Sequence, residues 1–253
     1  MNTRIIAIVS QKGGVGKTAL AHNLGYELSQ AGQRVLLVDF DPQADLTSSV
    51  GLDLEEERLT VYDAMSKPSN TAKCVVNIRP NLDLLPSHLS LAGAEIEFTM
   101  NILVDRGQRL SNALRPIAEN YDYILVDAPP SLGFFTVNAL IACDGVLVPL
   151  QCERLAQKAL GYLLGIMEEL QQRNPELRII GIALTFYDRR VSISEQIEAE
   201  TREEFGEFVF DTTVPRNVEI MKASDRGLAV ATHAPKSSGA AAYHALAQEV
   251  LND

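Results

Sequence analysis

The run Ile5-Ile6-Ala7-Ile8-Val9 passes directly into Ser10–Gly16, a loop holding three glycines, and then into a helix-like stretch opening on Lys17 and Thr18. Few architectures tolerate that order. A strand apolar at every position has to be covered on both faces, as central parallel strands are. Glycines at a strand-to-helix junction let backbone N–H groups turn inward, and the helix N-terminus adds the positive end of its dipole. The junction is therefore shaped to cradle phosphate oxygens. A glycine-rich turn that binds nothing is the bland alternative, and the Gly-Lys-Thr ending speaks against it.

The rest of the chain repeats the strand–helix theme. Apolar runs rich in Ile, Val and Leu occupy residues 4–9, 34–39, 82–85, 123–127, 145–150 and 178–184. Residues 18–30 read as a helix stopped by Gly32, and residues 155–172 carry Leu160, Leu163, Leu164 and Met167 at helical spacing. The alternation predicts an α/β fold: one doubly wound, mostly parallel sheet with helices on both faces and active loops at the strands' carboxyl ends. A length of 253 residues allows one large domain or two small ones. No Pro/Gly/Ser-rich linker divides the chain, so residues 1–253 read as a single domain.

Composition excludes more than it assigns. The hydrophobic fraction of 46% is ordinary for a globule with a sizeable core. No apolar run reaches the ~18 residues a membrane crossing needs, and the N-terminus lacks the layout of a signal peptide. Cys74, Cys143 and Cys152 lack CxxC spacing and read as small buried hydrophobes in a reducing cytoplasm. The net charge of −11 disfavours a surface broadly coated for nucleic acid but leaves room for a local basic patch.

The phosphate-binding stretch is Lys12, Gly13, Gly14, Val15, Gly16, Lys17, Thr18 and Ala19. Lys17 is placed to contact the β- and γ-phosphates of a nucleoside triphosphate, and the Thr18 hydroxyl to ligate Mg²⁺. The loop departs from the common GxxxxGK[ST] form, because Gln11 stands where the first glycine belongs and Lys12 follows it. A second cation beside one triphosphate is redundant unless it has another target. Lys12 is either a solvated loop lysine or, in a face-to-face dimer, a cation that reaches the partner's nucleotide as an arginine finger does.

Carboxylates complete the pattern. In Val38-Asp39-Phe40-Asp41, strand alternation puts Asp39 and Asp41 on the same side. Tyr123-Ile124-Leu125-Val126-Asp127 is read as the fourth strand and has the form of a Walker B strand, whose aspartate holds Mg²⁺ directly or through water. Three carboxylates beside a phosphate loop are costly to place together without a cation. An aspartate ending a strand is also a common cap or turn former, a reading that suits Asp41 better than Asp127.

Lys12–Thr18, Asp39-Phe40-Asp41-Pro42-Gln43 and Tyr123–Pro130 together resemble the ParA/Soj/MinD deviant Walker ATPases. Thr185-Phe186-Tyr187-Asp188, Val214-Pro215-Arg216-Asn217-Val218 and Ser238-Gly239-Ala240-Ala241-Ala242-Tyr243 resemble the small, Soj-like ParA branch in particular. The resemblance spans residues 4–251. It implies a nucleotide-sandwich homodimer built on ATP binding, with Lys12 touching the partner's ATP, Asp41 orienting the attacking water, and Asp39 and Asp127 supporting Mg²⁺. Pro215 to Asn217 would line the adenine through backbone groups. Similar proteins bind nonspecific DNA as ATP dimers and leave it when a ParB-like protein or cargo adaptor stimulates hydrolysis. The implied setting is cytoplasmic and nucleoid-associated.

The resemblance frays at the implied DNA-binding patch of Arg189, Arg190, Arg216, Lys222 and Arg226. Ser192 and Glu219 stand where bases are common, and an expected helix over residues 194–208 carries six glutamates against Arg202. Such a helix would repel a nearby phosphate backbone. The chain end, Gln248–Asp253, is acidic and short, unlike the basic amphipathic helix of membrane-bound MinD relatives. The cysteines do not match a nitrogenase-reductase-like cluster, and a loop starting at residue 10 leaves no room for an N-terminal helix-turn-helix domain. Two other readings compete: a nucleotide-switched recruitment factor that ignores DNA, and an ATP-dependent metabolic ligase of the same broad fold, in which Lys12 has no role.

Overall fold

The computed structural model describes residues 3–53, 58–100, 105–153 and 156–252. Its strands are β1 (Arg4–Ile8), β2 (Val35–Asp39), β3 (Val76–Arg79), β4 (Leu82–Leu85), β5 (Tyr123–Asp127), β6 (Gly145–Gln151), β7 (Arg178–Tyr187) and β8 (Val209–Pro215). They form one sheet in the order β3-β4-β2-β5-β1-β6-β7-β8. Every neighbouring pair is parallel except β3 and β4. The helices are α1 (Lys17–Gln30), α2 (Asp45–Ser49), α3 (Val61–Ser66), α4 (Thr71–Cys74), α5 (Leu91–Met100), α6 (Arg109–Leu114), α7 (Phe134–Ala142), α8 (Ala156–Leu170), α9 (Ser192–Phe205), α10 (Val218–Ser224), α11 (Val230–His233) and α12 (Ser238–Asn252).

All six expected strands are present, but two were missed, so the Walker B strand is the fifth and not the fourth. The missed strands, β3 and β8, are the two sheet edges. Their sequences, Val-Asn-Ile-Arg and Val-Phe-Asp-Thr-Thr-Val-Pro, mix polar with apolar residues because an edge is only half covered. A search for continuous apolar runs finds only central strands. The expected helix over 194–208 is α9, ending at Phe205 and followed by a 3₁₀ turn, Gly206–Phe208. The expected helix over 155–172 is α8, with Leu155 outside the described residues.

Side-chain alternation divides the core in two. Ala7, Leu36, Val38, Ile124 and Val126 point to one face, where they pack with residues of α3 to α9. Ile6, Ile8, Val35, Leu37, Tyr123 and Leu125 point to the other, against α1, α2, α10, α11 and α12. Asp39 continues the Val35–Leu37 parity and Asp127 the Tyr123–Leu125 parity. Both carboxylates therefore emerge on the α1 face. On that face the turns after α2 and α10 meet backbone to backbone: a Cβ built on Gly227 would lie 2.3 Å from the Gly51 Cα. Cys74, Cys143 and Cys152 are buried and free, as expected. Among the described residues no helix is long and apolar enough to cross a membrane.

Candidate nucleotide-binding site

The chain leaves β1 toward α1 on one face and leaves β5 toward α7 on the other, so a crevice opens at the carboxyl ends of β1 and β5. The phosphate loop occupies it. Gly16 sits at φ 89° at the N-cap of α1, a conformation that favours glycine. Its backbone faces Phe186, whose ring would lie 3.5 Å from an added Cβ. The Thr185 hydroxyl donates to the Val15 carbonyl at 2.9 Å, so the end of β7 braces the loop. Lys17 opens α1 and is only 8% exposed. Burial pushes its pKa down, while Asp127, Asp41 and Asp45 pull it up.

Sheet register brings the acids to this lysine. Asp127 pairs with Ile8 of β1 and with Asp39 of β2. The Thr18 hydroxyl donates to Asp127 Oδ2 at 2.7 Å, and Asp127 Oδ1 is buried without a hydrogen-bond partner among the described residues. Burial holds both carboxyl groups above the ordinary range, and their mutual repulsion adds to the effect on Asp127.

Asp39 has further employment. Its Oδ2 accepts from the Thr47 backbone N–H at 2.7 Å and the Thr47 hydroxyl at 2.6 Å, while Oδ1 accepts from the Asp41 N–H at 3.3 Å. Thr47 Oγ1 accepts in turn from Ser87 N–H at 3.1 Å, and Ser87 Oγ donates to the Asp41 carbonyl at 2.7 Å. This closed ring pins the backbone of Asp41. The Asp41 carboxylate accepts the Gln43 N–H at 3.0 Å, a turn-forming bond, yet stays partly exposed, and its charge acts on Lys17. Both readings of Asp41, turn former and site acid, are thus compatible. Among the described residues no three His, Cys, Asp or Glu side chains converge as a metal cage.

Lys12 is neither free in solvent nor over its own phosphate loop. It forms an ion pair with Glu153 and donates to Gln151 Oε1 at 3.4 Å, both at the end of β6. Pro215 ends β8, and Asn217 caps α10: its Oδ1 accepts from Glu219 N–H at 2.8 Å and its Nδ2 donates to Ser238 Oγ at 2.9 Å. Both lie at the same carboxyl edge of the sheet as the loop.

The five basic residues are all exposed, yet several are engaged. Arg190 is bidentate to Asp188 at 2.9 and 2.8 Å and holds that carboxyl at about 2. Lys222 pairs with Glu219 at 2.8 Å, Arg216 lies over the Phe186 ring at 5.5 Å, and Arg226 meets His233 at 3.3 Å. On α9, Glu195, Glu200, Glu203 and Glu204 face solvent.

Sequence reasoning missed Thr47, Ser87 and Glu153. The first two act through side chains 8 and 46 residues apart along the chain from their partners, with no motif spacing to mark them. Glu153 had one signal, its position two residues past the end of a strand at the sheet's active edge.

A sheet with a lysine-bearing loop at its switch point, facing strand-end carboxylates, assigns this chain to the P-loop nucleoside triphosphatases. A family model described as an AAA domain matches residues 3–179. The chromosome partitioning protein ParA of Caulobacter vibrioides is 42% identical over 253 residues, covering 98% of this chain and 94% of that protein. The sporulation initiation inhibitor Soj of Bacillus subtilis is 42% identical, covering 98% of each. Among solved structures, a cobyrinic acid a,c-diamide synthase from Mycobacterium smegmatis with bound ATP analog and magnesium is 34% identical, at a TM-score of 0.87 over 99% of this chain and 94% of that one. The cell division ATPase MinD of Pyrococcus furiosus is 26% identical, at a TM-score of 0.81 over 98% of each chain. The chain belongs to the ParA/Soj family of partition ATPases.

Proposed function

We propose that this chain, acting as one domain, is a positioning ATPase that binds ATP with Mg²⁺, dimerises around it and is reset by partner-stimulated hydrolysis. The observation that carries this reading is the convergence of Lys17, Thr18 and Asp127 at one sheet switch point, with a second lysine, Lys12, held aside from its own loop. Asp127 Oδ1, orphaned in a buried position, and the Thr18 hydroxyl suit a hard cation. Mg²⁺ bound there would neutralise charge developing on the phosphates. Lys17 binds the β- and γ-phosphates, aided by the loop N–H groups, and the pinned Asp41 orients water. Asp39 supports the cation from behind by setting Asp41 and adding charge, since direct ligation would require it to release Thr47.

The Lys12–Glu153 pair is half exposed on both sides, and such pairs contribute about 0–1 kcal/mol. A partner's triphosphate therefore outcompetes Glu153 easily. Lys12→Ala is expected to keep near-normal ATP binding as a monomer while losing the ATP-dependent dimer. Light scattering that still finds a dimer with ATP would sink the trans role.

Because burial raises the proton affinity of Asp39 and Asp127, occupancy of the site by Mg²⁺–ADP should lower it again and expel protons bound there. The sign follows: cation binding favours the charged carboxylates, so affinity should strengthen as pH rises through neutrality. Calorimetric heats should also vary with the ionisation enthalpy of the buffer. Heats that coincide across buffers would contradict proton release.

Nonspecific DNA is the proposed track. The ion pairs that occupy Arg190 and Lys222 are exposed and weak, and phosphates can displace them. Arg190→Glu combined with Lys222→Glu should reduce DNA binding while leaving ATPase activity and dimerisation in place. Wild-type affinity should fall steeply with salt, at a slope near ~0.9 per phosphate neutralised. Salt-insensitive binding, or an unaffected double variant, would favour recruitment of a protein cargo without DNA. A biosynthetic reading has one observation in its favour, the name of the 34% identical structure. Against it stand the partition proteins at 42% identity and the presence of Lys12.

A further inference from the structure

We infer that the cavity between α3 and α6 binds a small ligand carrying an oxyanion, a phosphate or a carboxylate, gripped by Arg109 and Arg115. The cavity measures about 380 Å³, the size of a small-molecule pocket. It lies on the sheet face opposite α1, because the buried residues of α3 and α6 belong to the other core. It is therefore separate from the phosphate loop.

Arg109 is the reason to look there. It opens α6, and its backbone N–H donates to Asn138 Oδ1 at 2.9 Å, which fixes the helix start against α7. Its side chain runs inward, 5% exposed, with the guanidinium 4.6 Å from the Phe98 ring centroid. Nε and Nη2 are buried and, among the described residues, neither has a hydrogen-bond partner. Two buried guanidinium nitrogens without acceptors are costly for a fold to carry, and stacking on an aromatic ring offsets only part of that cost. Nε–H and the neighbouring Nη2–H share one edge of the guanidinium, the fork that receives both oxygens of a carboxylate or phosphate.

The cavity supplies what such a ligand needs. Arg115 lines it as a second guanidinium, exposed and without an ion pair among the described residues. Ser66 and Asn112 add neutral donors, Met65 and Pro116 form apolar wall, and among the described residues no acidic side chain lines it. In a chain with 33 acidic residues against 22 basic ones, two arginines sharing a cavity with no carboxylate among its described lining residues are a departure from the surrounding charge. In the present conformation the Arg109 fork is sealed from solvent, so capture entails a turn of the guanidinium off Phe98 toward Arg115.

The test uses the full chain labelled with ¹⁵N-arginine and saturated with Mg²⁺–ADP, which keeps the phosphate loop filled. Inorganic phosphate is titrated in one arm and succinate in the other. The Arg109 Nε–H resonance, identified by its loss in Arg109→Lys or by its proximity to the Phe98 ring, should move saturably in at least one arm. Movement with phosphate alone identifies a phosphorylated ligand, and with succinate alone a carboxylate. Arg115→Ala, an exposed change that should leave folding intact, should weaken the response by about tenfold or more. A resonance that stays still in both arms, or an unchanged response in Arg115→Ala, overturns the site. Because Lys17 and Lys12 are untouched, the outcome does not depend on the proposed ATPase cycle.

Discussion

Lys17→Ala is expected to lose nucleotide affinity by roughly two to four orders of magnitude, measured by calorimetry with Mg²⁺–ADP or Mg²⁺–ATP. The lysine is nearly buried at the first position of α1, and three carboxylates act on it from Asp127, Asp41 and Asp45. Removing one member of a buried charge pair costs about 3–5 kcal/mol, because the remaining charges lose their compensation. In the alanine variant the polyphosphate would enter a site whose nearest fixed charges are all negative. The loop N–H groups and the helix dipole remain, but each contributes much less than the ammonium. Circular dichroism should stay native, since both cores are built without Lys17. An affinity close to wild type would remove the phosphate-loop assignment altogether.

Asp41→Ala should separate binding from hydrolysis. The ring through Asp39, Thr47 and Ser87 holds the Asp41 backbone through its N–H and carbonyl, and neither depends on the Asp41 side chain. The variant should therefore keep the loop in place and bind Mg²⁺–ATP and dimerise as the wild type does. Hydrolysis should fall by ~10²–10⁴, the range of a positioned general base, which corresponds to roughly 3–5 kcal/mol in the transition state. Size-exclusion chromatography with Mg²⁺–ATP, paired with a phosphate-release assay, gives both readouts. Hydrolysis at the wild-type stimulated rate, or a failure to dimerise, would show that another group does this work. Asp39→Ala should fail earlier, because it frees Thr47 and lets the whole Asp41 segment shift.

What could be read in advance divides along physical lines. The central strands were legible because burial on both faces forces apolar residues at every position, as in Val35–Val38 and Tyr123–Val126. The phosphate loop was legible because its chemistry demands particular residue types in a fixed order. The edge strands β3 and β8 were not, because a half-solvated edge imposes no such composition. The supports of the site escaped for a different reason. Thr47 and Ser87 are ordinary hydroxyl residues, and only the fold brings them to Asp39 and Asp41. Asn217 shows the converse: the segment was recognised, while the task its side chain performs here, capping α10 and holding Ser238, was not anticipated.

The contact between Gly51 and Gly227 has a consequence for how this chain can vary. Both sit at positive φ, 81° and 66°; a Cβ on Gly227 would lie 2.3 Å from the Gly51 Cα, and a Cβ on Gly51 would lie 3.2 Å from the Gly227 Cα. Replacing Gly227 forces two backbones apart, replacing Gly51 presses on the same backbone more mildly, and no shrinkage of the other can compensate, since glycine is already the smallest residue. Gly51 closes the segment that begins at Asp41, while Gly227 follows Arg226 and ends the turn after α10. The segment carrying the acid that would time hydrolysis and the turn beside the basic residues that would hold a track are thus tied through one backbone contact without slack, so a side chain added at Gly227 would disturb both.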